Sequence, residues 1–98
     1  MADLQPGDII PILGQMGLTI EEAVPGRSVA VIPSAPNVNH FGVMYAGSLF
    51  SVAECLGGVI ALASFDLSAG VLPVAKSLSI DFLAPASSDI RAEATLSE

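Results

Sequence analysis

The sequence has 98 residues, the length of one small domain. Hydrophobic residues make up 52% and charged residues 13%, which excludes a disordered polar chain. The net charge of −7 excludes a nucleic-acid binder and disfavours an anionic membrane surface, because three basic residues cannot neutralise rows of phosphates.

So much apolar sequence in so short a chain predicts self-association, since a small domain hides only part of its surface alone. The single cysteine, Cys55, excludes an internal disulfide framework. With His40 as the only histidine, no metal or other cofactor is expected. The start MADLQPGDII lacks the pattern of a signal peptide, so the expected location is cytoplasmic.

In chain order, residues 3–16 read as a short helix or turn limited by Gly7 and Pro11. Gly17–Val24 reads as a strand, with Leu18 and Ile20 alternating against Thr19 and Glu21. Pro25 and Gly26 suit the central positions of a type II turn, and Arg27–Ile32 returns as a second strand. Residues 33–45, with two prolines and two asparagines, form an ordered loop.

The spacing then predicts a helix from Ala46 to about Ser64. Nearly every side of it is apolar, which predicts a helix surrounded by protein. The run Tyr45–Leu67 could also span a bilayer, but Glu54 sits at its centre and basic flanks are missing, so a buried helix is the better reading. Gly57 and Gly58 are costly in a helix unless another backbone comes close. Alternating patterns predict strands at Lys76–Leu83 and Asp89–Ser97, joined by a turn at Pro85–Ser88. Strand, strand, helix, strand, strand is an α+β order in which an antiparallel sheet wraps one long helix.

Residues 39–58, NHFGVMYAGSLFSVAECLGG, carry a more specific pattern. The segment resembles the hotdog-fold thioesterases of the phenylacetate-degradation and 4-hydroxybenzoyl-CoA thioesterase group, whose relatives read Asn-x-x-Gly-x-x-His-Ala-Gly-Ala-Leu-Phe-x-x-Ala-Glu. The resemblance implies one hotdog thioesterase-like domain over residues 1–98 that hydrolyses an acyl-CoA or acyl-carrier thioester without a cofactor. It further implies an obligate homodimer or homotetramer. Such subunits continue with two more strands, so the C-terminal strands are expected to be missing here.

By the same resemblance, Asn39 falls where the family orients the attacking water or the thioester. Ala46 falls where a helical Gly offers its N–H, and Glu54 falls at the catalytic carboxylate. Tyr45 replaces the usual His, and Ala46 replaces Gly. Tyr45, His40, Lys76 and Ser77 are the candidate substrate contacts.

The residues support the same chemistry directly. Glu54 lies among apolar neighbours, and burial without a cationic partner would raise its pKa toward the working range of a general base. The helix start at Ala46 and Gly47 offers unpaired N–H groups to a developing oxyanion. Eight residues separate Ala46 from Glu54, about 12 Å along a helix. One carbonyl cannot touch both ends, so the site requires two chains. Ser48 lacks the G-x-S-x-G elbow, and Cys55 points about 100° from Glu54 into the core. Asn37 reads as a turn former. A hotdog dehydratase is disfavoured for want of its His-based site. The rival reading is a non-catalytic hotdog module for acyl binding or assembly.

Overall fold

The computed structural model describes residues 5–64 and 77–96. A 3-10 turn at Pro6–Asp8 leads into α1 at Pro11–Gln15, with Pro11 at the start of the helix, where a missing N–H costs nothing. Strands β1 (Thr19–Val24) and β2 (Arg27–Ile32) form an antiparallel hairpin. Gly26 has φ +82, the left-handed conformation that the second central position of a type II turn requires. The long helix α2 covers Ala46–Ser64, and β3 covers Ile90–Thr95.

The sheet order is β1-β2-β3, antiparallel throughout, with a register shift between Ile20 and Glu22 of β1. Arg27 on the central strand reaches Glu22 of β1 and Glu93 of β3, while Arg91 pairs with Glu21. These bridges lie at the surface, where each contributes about 0–1 kcal/mol. The greater stabilisation lies on the opposite face. There Leu13, Met16, Leu18, Ala30, Ile32, Met44, Val52, Cys55 and Leu56 form one buried cluster.

Helix α2 meets the sheet with Ser48, Val52, Cys55, Leu56 and Ile60, a single stripe at helical spacing. Two polar ties fix its position. The buried Ser28 hydroxyl donates to the Leu56 carbonyl at 3.2 Å, and the Gly26 N–H donates to Ser64 Oγ at 2.8 Å. By length and composition the helix could cross a membrane. In this fold its apolar stripe instead lies against the sheet.

Two expectations are corrected here. The helix is not enclosed on all sides, because Ala53, Glu54, Gly57, Gly58 and Leu62 are exposed. Three strands spaced about 4.8 Å apart are roughly as wide as one helix, so they cover one face of it. Nor do residues 77–83 form a strand, despite their alternation. Both sides of β2 are already taken, and no other strand lies beside this segment among the described residues. Leu78 and Phe82, expected on a buried face, are exposed.

Candidate active site

Residues 37–45 fold back on themselves and deliver the chain to the start of α2. Asn39 N–H donates to the Val43 carbonyl at 2.8 Å, and Gly42 N–H donates to the Asn39 carbonyl at 3.0 Å. Gly42 has φ +80, which closes this turn. The Asn39 side-chain oxygen accepts from the Phe41 N–H at 2.9 Å and the Val43 N–H at 3.3 Å. No described residue accepts from its amide nitrogen. Among the described residues that group is therefore an oriented, unused donor at the loop surface.

Asn37 does more than form a turn. It is 3% exposed, and its amide donates to the Met16 carbonyl at 2.8 Å and the Pro33 carbonyl at 2.7 Å. Its own carbonyl accepts from the Tyr45 N–H at 2.7 Å. One buried residue thus pins α1 and the β2 exit through its side chain and the helix entrance through its backbone carbonyl. Nothing in the local sequence distinguishes this asparagine from an ordinary turn residue.

At the start of α2, the Tyr45 carbonyl accepts from Ser48 and Leu49. The N–H groups of Ala46 and Gly47 have no acceptor among the described residues. They lie at the positive end of the helix dipole. The ring of Tyr45 lies over this start and touches Gly47. A small cavity of about 310 Å³ opens beside Ala46, bounded by Met44, Leu49 and Phe82 to Ala86. The Met44 N–H holds the Ala86 carbonyl at 2.7 Å and fixes that wall.

Glu54 projects from the uncovered side of α2 and is exposed. The described residues of its own chain do not supply the burial that the sequence predicts for it. It stands instead in the wall of a larger groove between the N-terminal segment, β1 and α2. Cys55 turns away into the core, as its angular offset requires, and burial pushes its thiol pKa up, with Glu54 adding to the effect. Gly57 and Gly58 have no described atom within 4 Å of where a side chain would begin. No described backbone explains them.

His40 and Phe41 are exposed on the loop tip, with ring centres 4.0 Å apart and tilted by 41°. Ser77 is exposed on irregular chain, and Lys76 lies outside the described residues. Asn39, Tyr45, Ala46 and Gly47 therefore gather at one end of α2, with His40 on the same loop. Glu54 stands two turns away on the same helix. The sequence missed the groove wall formed by Gln5, Ile9 and Ile10, for which the apolar run Ile9 to Ile12 is the only signal.

A protein of unknown function from Pseudomonas aeruginosa, described as a probable thioesterase, is 40% identical. It superimposes with a TM-score of 0.84 over 93% of this chain and 60% of that one. A protein of unknown function from Chlorobaculum tepidum is 26% identical, with a TM-score of 0.73 over 94% of this chain and 57% of that one. A candidate thioesterase from Shewanella oneidensis, at 21% identity and TM-score 0.78, shares the fold over 93% of this chain and 64% of its own. The chain thus spans about three-fifths of the length of these solved relatives. No curated protein matches it.

An antiparallel sheet carrying one long helix, with these neighbours, is the hotdog fold of thioesterase-like proteins. The chain belongs to the family described as Domain of unknown function (DUF4442), which matches residues 7–98.

Proposed function

We propose that the protein hydrolyses an acyl thioester at a site shared between two copies of the chain. The observation that carries this reading is the placement of two half-sites on one helix. Free N–H groups of Ala46 and Gly47 lie at its start, and the Glu54 carboxylate lies about 12 Å further along it, on the uncovered side. Each half lacks what the other has. A second copy that brought its Glu54 to this helix start would complete the constellation.

In such a site the thioester carbonyl accepts hydrogen bonds from Ala46 and Gly47 of one copy, and Asn39 contributes its free amide donor. Glu54 of the other copy takes a proton from water as the water oxygen bonds to the carbonyl carbon. The carbon–sulfur bond then breaks, and Glu54 returns the proton to the departing thiolate. His40 and Tyr45 flank the entrance, and Ser77 and Lys76 are further candidate contacts. The probable thioesterase from Pseudomonas aeruginosa, at 40% identity, supports the reaction class.

The test is a panel of acyl-CoA esters assayed by free-thiol release, alongside a measurement of size in solution. Glu54→Gln keeps the shape and removes the base, and it should lower kcat at least about 100-fold. Near-wild-type turnover by that variant would remove the proposal.

A second reading, an acyl-binding or assembly module without hydrolysis, draws on the Tyr45 ring that lies against Gly47 at the helix start. Binding of acyl-CoA with no thiol release would favour it.

A further inference from the structure

The groove that contains Glu54 has a volume of about 920 Å³, inside the roughly 300–1,000 Å³ common for small-molecule sites. Glu54, Cys55, Gly58, Val59, Leu62 and Ala63 form its α2 wall, more than two turns of one helix face. Ile9, Ile10, Leu13 and Ile20 stand opposite, with Gln5 and the Arg91-paired Glu21 as the polar members of that wall, and no described aromatic residue lines it. Ile9 is 66% exposed and Leu62 is 63% exposed, so this apolar surface is uncovered. The Gly26–Ser64 hydrogen bond sets the β1–β2 turn beside the C-terminal end of α2. Along its α2 wall the groove runs from the Glu54 carboxylate to Leu62 and Ala63.

We infer that this groove holds the acyl chain of the substrate, and that the chain is an unbranched aliphatic one of about eight to twelve carbons. The inference rests on the reading of Glu54 as the group that acts on the thioester. From Glu54 to Leu62 is eight residues, about 12 Å along the helix. An extended chain advances roughly 1.2 Å per bond, so some ten bonds span that distance. A chain with its carbonyl at Glu54 then ends at Leu62. Each added methylene strengthens binding about fourfold until that end is reached. A flat aromatic acyl group fills only the first part and leaves Val59 and Leu62 wet. The smaller cavity beside Ala46, at about 310 Å³ and walled by Phe82, has no comparable length.

The experiment uses saturated acyl-CoA esters from two to sixteen carbons, together with benzoyl-CoA and phenylacetyl-CoA. In parallel it measures the affinities of S-decyl-CoA and S-butyl-CoA, thioethers that cannot be hydrolysed. The expected kcat/KM profile peaks between eight and twelve carbons. Gly58 has open space around it on the groove side, so Gly58→Leu places a side chain in the channel. That variant should lower the decanoyl-to-butanoyl ratio of kcat/KM at least tenfold and weaken S-decyl-CoA similarly. Gly57→Leu makes the same helix-favouring change outside the groove wall and should leave the ratio in place.

A flat profile, an aromatic preference, or an equal effect of Gly57→Leu would overturn the inference. So would a collapse of the ratio on Ala84→Leu, which fills the smaller cavity instead. If no thioester is hydrolysed but S-decyl-CoA binds and Gly58→Leu weakens it, the groove assignment stands and the hydrolase reading falls. Hydrolysis with no chain-length selection gives the converse.

Discussion

The ring of Tyr45 lies against the α-carbon of Gly47, so closely that a Cβ at Gly47 would fall 2.5 Å from the ring's Cε2 atom. Only glycine at 47 leaves the ring in that position. Gly47→Ala should displace the exposed ring at little cost in Tm, because alanine favours a helix. It should also lower kcat/KM several-fold. In a double-mutant cycle with Tyr45→Ala, the alanine at 47 should add no further loss. Additive losses would show that the ring contact is not the link.

Asn39 has two separable jobs. Its oxygen holds the loop through Phe41 and Val43, and its amide nitrogen faces outward without a described partner. Asn39→Asp keeps the acceptor and removes the donor, so Tm should hold while hydrolysis drops about 10- to 100-fold. Asn39→Ala loses both and should lower Tm as well. Equal activity in the aspartate variant would leave Asn39 with the loop alone.

Asn37 is a matter of stability. Removing a buried amide that satisfies two carbonyls costs about 1–3 kcal/mol for the groups left unpaired. Asn37→Ala should therefore unfold at clearly lower denaturant concentration than wild type, with an unchanged m-value. A midpoint equal to wild type would mean that Met16 and Pro33 find other donors.

The thiol of Cys55 gives a signature at alkaline pH. Burial raises its pKa above the ordinary 9.0, so the folded chain keeps the proton after the unfolded chain has lost it. Stability from this group is intact below pH 9.0 and declines as pH rises through the shifted pKa. Cys55→Ala should flatten that part of the stability profile, and thiol reagents should modify the wild type slowly until it unfolds. Rapid labelling of the folded protein near pH 8 would contradict this.

How much of this was legible in the residues depends on whether the cause was local. Helix α2 begins at Ala46 and covers the described residues to Ser64, as its apolar run indicates, and the Pro25–Gly26 turn and its flanking strands follow from short-range chemistry. The strand expected over Lys76–Leu83 failed for a non-local reason. Alternation selects a face but cannot supply a neighbour to bond with. Glu54 was placed among apolar neighbours correctly, yet its exposure depends on the width of a three-stranded sheet, which no window of α2 encodes. The bonds of Asn37 to Met16 and Pro33 depend on where the chain returns in space, and composition carries no trace of them.

The side-chain oxygen of Gln5 accepts the Ile20 N–H at 2.7 Å, and the irregularity between Ile20 and Glu22 interrupts the same strand. A blocked donor next to a broken rung makes β1 a poor template for any newcomer. The β1 border, beside the Glu54 groove, therefore offers a further strand fewer open rungs than a regular edge would.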